Sequence, residues 1–240
     1  MSALFSIIIP VLHEEAWVVT CLQRLQGMRG MDRAEVILVD GGGGSTLRAV
    51  AGRDFGLVLR PLRSPPGRGR QMNAGARAAS GRFLVFLHVD TWLPPHALDL
   101  VEHALARHRA GAFTLRIDSP RPWLRLGARL SSMRSRLIRV PYGDQAFFLR
   151  RDLFFSVGGY PPIPLMEDVA LMLTLRRRGV RPVILPEPAV TSARRWEKEG
   201  VLRVTVRNWT LYLLFRLGVP ARRLAGRYLP HHTTPGGGTA

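Results

Sequence analysis

Up to residue 110, short apolar runs rich in β-branched residues alternate with stretches whose apolar residues fall at helical spacing. Residues 5–10 (Phe-Ser-Ile-Ile-Ile-Pro), 34–40, 57–59 and 83–87 read as strands. Residues 14–26, with Ala16, Val19, Leu22 and Leu25 on one side, read as a helix, as do 45–51 (capped by Ser45 or Thr46), 70–79 and 94–109. Such alternation calls for a parallel sheet covered by helices on both faces. Sheets of this kind bind ligands in the crevice beyond the carboxyl ends of their strands. The segments that matter are therefore 11–15, 41–46 and 88–91, each directly after a strand and each polar or glycine-rich.

The second half is less regular. Residues 112–117 and 146–149 read as strands, 124–139 as a helix rich in arginine, and 167–178 as a helix stopped by Gly179. A short strand over 183–185 and a final helix over 201–217 complete the set. The expected division is an α/β domain over 1–200, a helical extension over 201–230 and a disordered tail over 231–240.

With 35 basic and 17 acidic residues the chain carries a net charge of +18, and Lys198 is its one lysine. A guanidinium offers two parallel N–H groups to two phosphate oxygens. Nucleic acid, anionic lipid headgroups and a phosphorylated substrate all suit such a surface. The aromatic residues do not interleave with the arginines as a base-stacking platform requires, which speaks against specific nucleic-acid binding. Cys21 is the one cysteine, so no disulfide forms within the chain and a reducing compartment is allowed. The first ten residues lack a basic n-region, and they read as a buried strand rather than a signal peptide. The expected location is cytoplasmic, at most peripheral on the inner face of the cell membrane.

Five clusters carry candidate chemistry. The strand over 34–40 ends in Asp40 and opens into Gly41-Gly42-Gly43-Gly44, where backbone N–H groups can approach a ligand closely; Asp40 either accepts hydrogen bonds from a base or ribose or caps a turn. Residues 67–75 (Gly-Arg-Gly-Arg-Gln-Met-Asn-Ala-Gly) put Arg68, Arg70 and Asn73 at a helix start, which suits an anion. Phe83-Leu84-Val85-Phe86-Leu87 leads into His88 and Asp90; a departing diphosphate needs its charge neutralised, and Asp90 is a natural oxygen ligand for a hard divalent cation, with His88 as a nitrogen ligand or hydrogen-bond partner. Glu167 and Asp168 open a helix, where the dipole favours them in any case and where one of them can act as a general base. Arg194-Arg195-Trp196 could wall a sugar phosphate.

In this order and spacing, an Ile-Ile-Ile-Pro-x-x-x-Glu start, Val39-Asp40-Gly41-Gly42, a strand leading to Asp90, the Glu167-Asp168 helix start and Arg195-Trp196 resemble the family-2 glycosyltransferases of the GT-A fold. The resemblance covers about residues 4–200. The wording of 67–75, of Phe86-Leu87-His88-Val89-Asp90-Thr91, of Gly143-Asp144-Gln145 and of Ser192-Ala193-Arg194-Arg195-Trp196 is similar to a bacterial subgroup associated with selenium- or arsenosugars. The resemblance implies a GT-A, Rossmann-like α/β fold with a mostly parallel central sheet, flanking helices and a C-terminal amphipathic helix. It implies inverting transfer from a nucleotide-sugar donor to a small-molecule or lipid acceptor, with Mn or Mg as cofactor. By position, Pro10, Glu14 and Asp40 would meet the nucleoside, with Gly41 beside them. Arg68, Arg70 and Asn73 would lie near nucleoside or diphosphate, Asp90 would hold metal, Asp168 would be the base, and Arg195 and Trp196 would flank diphosphate and acceptor. The chain departs from the family at His13, where Asn is usual, at 43–46, where Ser-x-Asp is usual, and at His88, the first acid of the metal motif.

Competing chemistries lack their motifs. A nucleotidyltransferase needs a glycine-rich loop after the first strand, and a dinucleotide dehydrogenase needs G-x-G-x-x-G there; Val11-Leu12-His13-Glu14-Glu15 supplies neither. Over 201–217, Arg203, Arg207 and Asn208 argue against a membrane span. Trp209, Tyr212, Phe215 and the arginines 216, 222, 223 and 227 suit an interfacial helix on anionic lipid; the alternative is a helix packed on the domain or on a second subunit of a homodimer.

Overall fold

The computed structural model describes residues 3–226. Expectations for Arg227 and for the tail over 231–240 fall outside that range. In chain order the elements are β1 (Phe5–Val11), α1 (Glu15–Gln26), β2 (Ala34–Asp40), α2 (Ser45–Val50), β3 (Val58–Arg63), α3 (Arg68–Ala78), β4 (Phe83–Phe86), β5 (Thr91–Trp92), α4 (Ala97–Arg107), β6 (Ala110–Asp118), α5 (Pro122–Ile138), β7 (Phe148–Arg150), α6 (Arg151–Ser156), α7 (Glu167–Arg177), β8 (Val183–Ser192), α8 (Arg194–Glu199), α9 (Val201–Arg216) and α10 (Ala221–Ala225).

The strands form one sheet in the order β3-β2-β1-β4-β7-β6-β8-β5. The first half behaves as its alternation requires: β3, β2, β1 and β4 are all parallel. Their residues point by turns to two cores. Ile7, Ile9, Val36, Leu38, Phe83 and Val85 meet α1 and α4 on one face. Ile8, Ile37, Val39, Leu84 and Phe86 meet α3, α6 and α7 on the other. Burial on both faces is why these strands read as near-continuous apolar runs.

In the second half, β7 runs antiparallel to β4 and to β6, while β8 returns parallel to β6. Here β8 spans ten residues, where the sequence predicts 183–185. Pro186 and Pro188 look like strand breakers because they lack an N–H. The β6–β8 register shifts between Ala112 and Thr114, and the Thr114 hydroxyl reaches Pro186 O (2.8 Å) and Glu187 O (3.1 Å), so the ladder passes the prolines at a bulge. The elements β5, α6, α8 and α10 are too short for a periodic signal, and residues 194–196 open α8 just after β8. Helix α9 does not have the one-sided pattern expected of it. Val204 and Leu211 are buried while Val206, Trp209 and Leu213 are exposed, so it is apolar on two sides.

Candidate active site

At the carboxyl ends of β1 and β4 the loops open into a cleft of about 450 Å³. It brings together Pro10, Glu14, Arg68, His88, Asp90, Glu167, Asp168, Arg195 and Trp196, nine residues singled out from the sequence. Asp40, Gly41, Arg70 and Asn73 are not in its lining.

The four outside have local tasks. Asp40 is buried, and its carboxylate accepts N–H groups from Gly42 (2.5 Å), Thr46 (3.1 Å) and Leu47 (3.3 Å). It therefore caps α2, the role predicted for Ser45 or Thr46, while Gly44 (φ 93°) occupies the N-cap position itself. Gly41 lies against the Gln71 amide: a Cβ there would sit 2.9 Å from Gln71 Cδ. That amide donates to Val11 O (2.7 Å) and Val39 O (2.9 Å), tying the ends of β1 and β2 together. Asn73 brackets the backbone of Tyr160, donating to its carbonyl (2.7 Å) and accepting its N–H (2.9 Å). Arg70 is exposed on α3. Replacing Asp40 by Ala is expected to lower stability by about 1–3 kcal/mol, because it strands buried N–H groups at a helix start. Chemical denaturation measures this; unchanged stability with lost ligand affinity would instead make Asp40 a ligand contact.

Arg194 closes the cleft. Its fork donates to both Glu14 oxygens (2.8 and 2.9 Å), and its Nε donates to Asp90 Oδ2 (2.8 Å). The guanidinium also lies over Trp17, 5.1 Å from the ring centroid. The β5–β8 pairing makes this possible: Thr91 faces Thr191, and Ser192 N donates to Asp90 O at 2.9 Å. The segment after Asp90 is thus laid beside the end of β8, two residues before Arg194. The available signal for Arg194 was a run of two arginines, of which the family pattern marks only Arg195.

On the opposite wall, Asp168 Oδ2 accepts Gly143 N at 2.8 Å and Oδ1 accepts Val169 N at 2.7 Å. Gly143 is needed for close approach, since a Cβ would lie 3.1 Å from His88 Nε2 and 3.4 Å from Asp168 Oδ2. Asp144 follows it into the cleft with Oδ1 buried and without a hydrogen bond. Burial first, and the charge of Asp168 second, push its carboxyl up to about 6. Glu167 is buried and lies 3.2 Å from Arg68 Nε; burial raises its carboxyl, the Arg68 charge opposes this, and Asp168 adds to it. Two non-glycine residues at the site adopt left-handed backbone: His13 (φ 56°) before Glu14 and Met166 (φ 64°) before Glu167. Asn and His both tolerate this region better than most residues, which accounts for His13 where the family has Asn.

His88 is half-buried in the cleft wall, and desolvation first, with the Arg68 charge second, lowers its imidazole to about 4. It is therefore neutral near pH 7, with a lone pair to offer a cation. Among the described residues no three His, Cys, Asp or Glu side chains gather to hold a metal. Asp90 and His88 offer at most two donors, and Arg194 already takes Asp90 Oδ2, so a divalent cation placed there would have to draw most of its ligands from phosphate oxygens and water.

A family model described as glycosyl transferase family 2 matches residues 6–162. No curated protein matches the chain. Among solved structures, S. aureus TarS is similar with a TM-score of 0.64 at 18% identity, over 84% of this chain and 38% of that one. A TarS fragment in complex with UDP-GlcNAc gives 0.63 at 18%, over 78% and 58%. The mannosyltransferase PcManGT from Pyrobaculum calidifontis, in complex with GDP-Man and Mn²⁺, gives 0.66 at 20%, over 88% and 63%. This chain spans less than two thirds of the length of each. At such identity the likeness shows the fold, which is of the GT-A type.

Proposed function

The chain belongs to glycosyl transferase family 2, and from that premise we propose that it moves a sugar from a nucleoside-diphosphate sugar to an acceptor hydroxyl with inversion at the anomeric carbon. The observation that carries this reading is the cleft itself. Asp90 and His88 from the end of β4, the guanidinium groups of Arg68 and Arg195, and the Asp168 carboxylate all line one space of about 450 Å³. Cationic side chains near a diphosphate and a carboxylate with a free lone pair are what such a transfer needs.

In this reading Pro10 and Glu14 meet the nucleoside end, while Arg68 and Arg195 hold the diphosphate. Asp90 and His88 would hold Mn²⁺ or Mg²⁺, which supplies positive charge to the leaving diphosphate. Asp168 accepts the proton of the acceptor hydroxyl as its oxygen bonds to the anomeric carbon and the bond to the diphosphate oxygen breaks. Gly143 N and the start of α7 hold that carboxylate in orientation. Trp196, half-buried against Leu115, Ile117 and Leu124, offers an aromatic wall to the sugar or acceptor. In this proposal residues 1–200 carry the domain and 201–230 an extension, of which residues 201–226 are described. The narrower likeness to the selenium- or arsenosugar-associated subgroup belongs to the same proposal and leaves a small metabolite or a lipid as acceptor.

A thermal-shift panel of UDP-, GDP-, CDP- and dTDP-sugars, each with Mn²⁺, Mg²⁺ or EDTA, tests the reading. At about a hundredfold excess over Kd, one donor is expected to raise Tm by roughly 5–10 °C. The shift should shrink with EDTA and become independent of metal in Asp90→Ala. No shift from any donor with folded protein would overturn the proposal.

A further inference from the structure

Helix α5 carries a surface that the cleft does not use. Trp123, Leu126, Leu130, Met133 and Leu137 recur at alternating intervals of three and four, and each is half or more exposed. Residues so spaced line one side of a helix. The opposite side is spent on the fold, with Leu124 and Ala128 buried against Leu115 and Ile117. Val206, Trp209 and Leu213 of α9, with Leu217 just beyond its end, are exposed to the same degree. The two helices approach at the rim of the cleft: the Arg134 guanidinium lies 3.9 Å from the Tyr142 ring centroid and 5.7 Å from that of Tyr212. Exposed apolar stripes of this kind, on two helices that meet beside one cleft, mark an interaction surface.

Charge selects the partner. Arg125, Arg129 and Arg136 border the α5 stripe and are exposed, as are Arg203, Arg216, Arg222 and Arg223 at the other helices. No Asp or Glu occurs between Asp118 and Asp144, nor anywhere after Glu199. A second copy meeting α5 stripe to stripe would set arginine against arginine with no carboxylate to pair them. Nucleic acid would satisfy the arginines and leave the leucines in water. We propose that α5 and α9 dock the protein on an anionic lipid bilayer, with the apolar stripes entering the headgroup–acyl boundary and the arginines meeting lipid phosphates. Among the described residues no helix is long and apolar enough to cross a membrane, so the contact is interfacial. The inference stands on surface chemistry alone and does not depend on the transfer reaction.

Co-sedimentation of the full chain with phosphatidylcholine vesicles, with and without an equal part of phosphatidylglycerol, tests it. Binding is expected to the anionic vesicles and to weaken in high salt. Leu126→Ser/Leu130→Ser/Met133→Ser should bind about tenfold more weakly. Val58→Ser, at an exposed position on β3, should bind as the parent does. Leu130→Ser alone, with a smaller loss, stands in if the triple variant melts early. Three results would overturn the proposal: no binding to anionic vesicles; equal binding by parent and triple variant, which would leave net charge as the whole cause; or a parent dimer that the triple variant dissolves, which would give the face to a second copy.

Discussion

Asp168→Asn is expected to cut the rate of sugar transfer by about a thousandfold, with donor affinity changed by less than about threefold. The exchange keeps shape and one acceptor oxygen, so the bond from Gly143 N can persist. What is lost is an oxygen able to take a proton from the acceptor hydroxyl. Glu167 cannot replace it, since its side chain is buried and held beside Arg68. Asp144, whose carboxyl burial pushes up to about 6, is the nearer candidate for residual activity once it is deprotonated. Single-turnover rates with saturating donor, set beside donor Kd, separate the outcomes. A full rate in the variant would remove Asp168 as base, and a loss confined to Kd would make it a binding residue.

The second large effect lies at the far end of the sheet. Glu35 is buried beside Ser6 on β1 and accepts hydrogen bonds from Ser6 Oγ (2.6 Å), Ser80 N (2.6 Å), Ser80 Oγ (2.8 Å) and Arg60 (2.8 Å). Burial alone would push its carboxyl up; the bonds from Ser6, Arg60 and Ser80 reverse this and hold it at about 2. A carboxyl depressed in the folded state stabilises that state above its unfolded pKa. The stabilisation is then lost as pH falls through the folded value. From an ordinary 4.5 to about 2, the linkage is worth about 3 kcal/mol at neutral pH, lost between about pH 5 and pH 2. Glu35→Gln should therefore lose about 3 kcal/mol at pH 7 and show a flatter acid limb than the parent in guanidinium unfolding. Parallel profiles for the two proteins would refute the assignment.

The sequence made the first half of the fold legible because β1, β2 and β4 are buried on both faces and must be apolar at nearly every position. The same reading found the cleft, since polar residues placed directly after such strands have few other reasons to be there. Asp40 shows where that logic stops. An acid at a strand end can serve a ligand or a helix, and only the distance to Thr46 and Leu47 N–H decides for the helix in this conformation. Asn73 likewise sits in the right segment but turns to Tyr160, a partner 87 residues away that no local pattern signals. The partners of Arg194, Glu14 and Asp90, were hidden for the same reason, as were the full length of β8 beyond its prolines and the outward stripe of α5, whose regular spacing suits a buried face as well as an exposed one.

The position of Arg194 also bears on how the molecule is made. It is 180 residues from Glu14 and 104 from Asp90, and it is the guanidinium that joins them. While the chain is being synthesised, β1 to β4 can pair in order as they emerge, because all four are parallel neighbours with helices between them. Throughout that interval the loops after β1 and β4 carry two carboxylates with no arginine between them. The cleft gains its closing contact when β8 has paired with β6 and delivered residue 194, after the first half-sheet is complete. A nascent chain can thus hold a folded half-sheet while the carboxylates of Glu14 and Asp90 still lack the guanidinium that joins them.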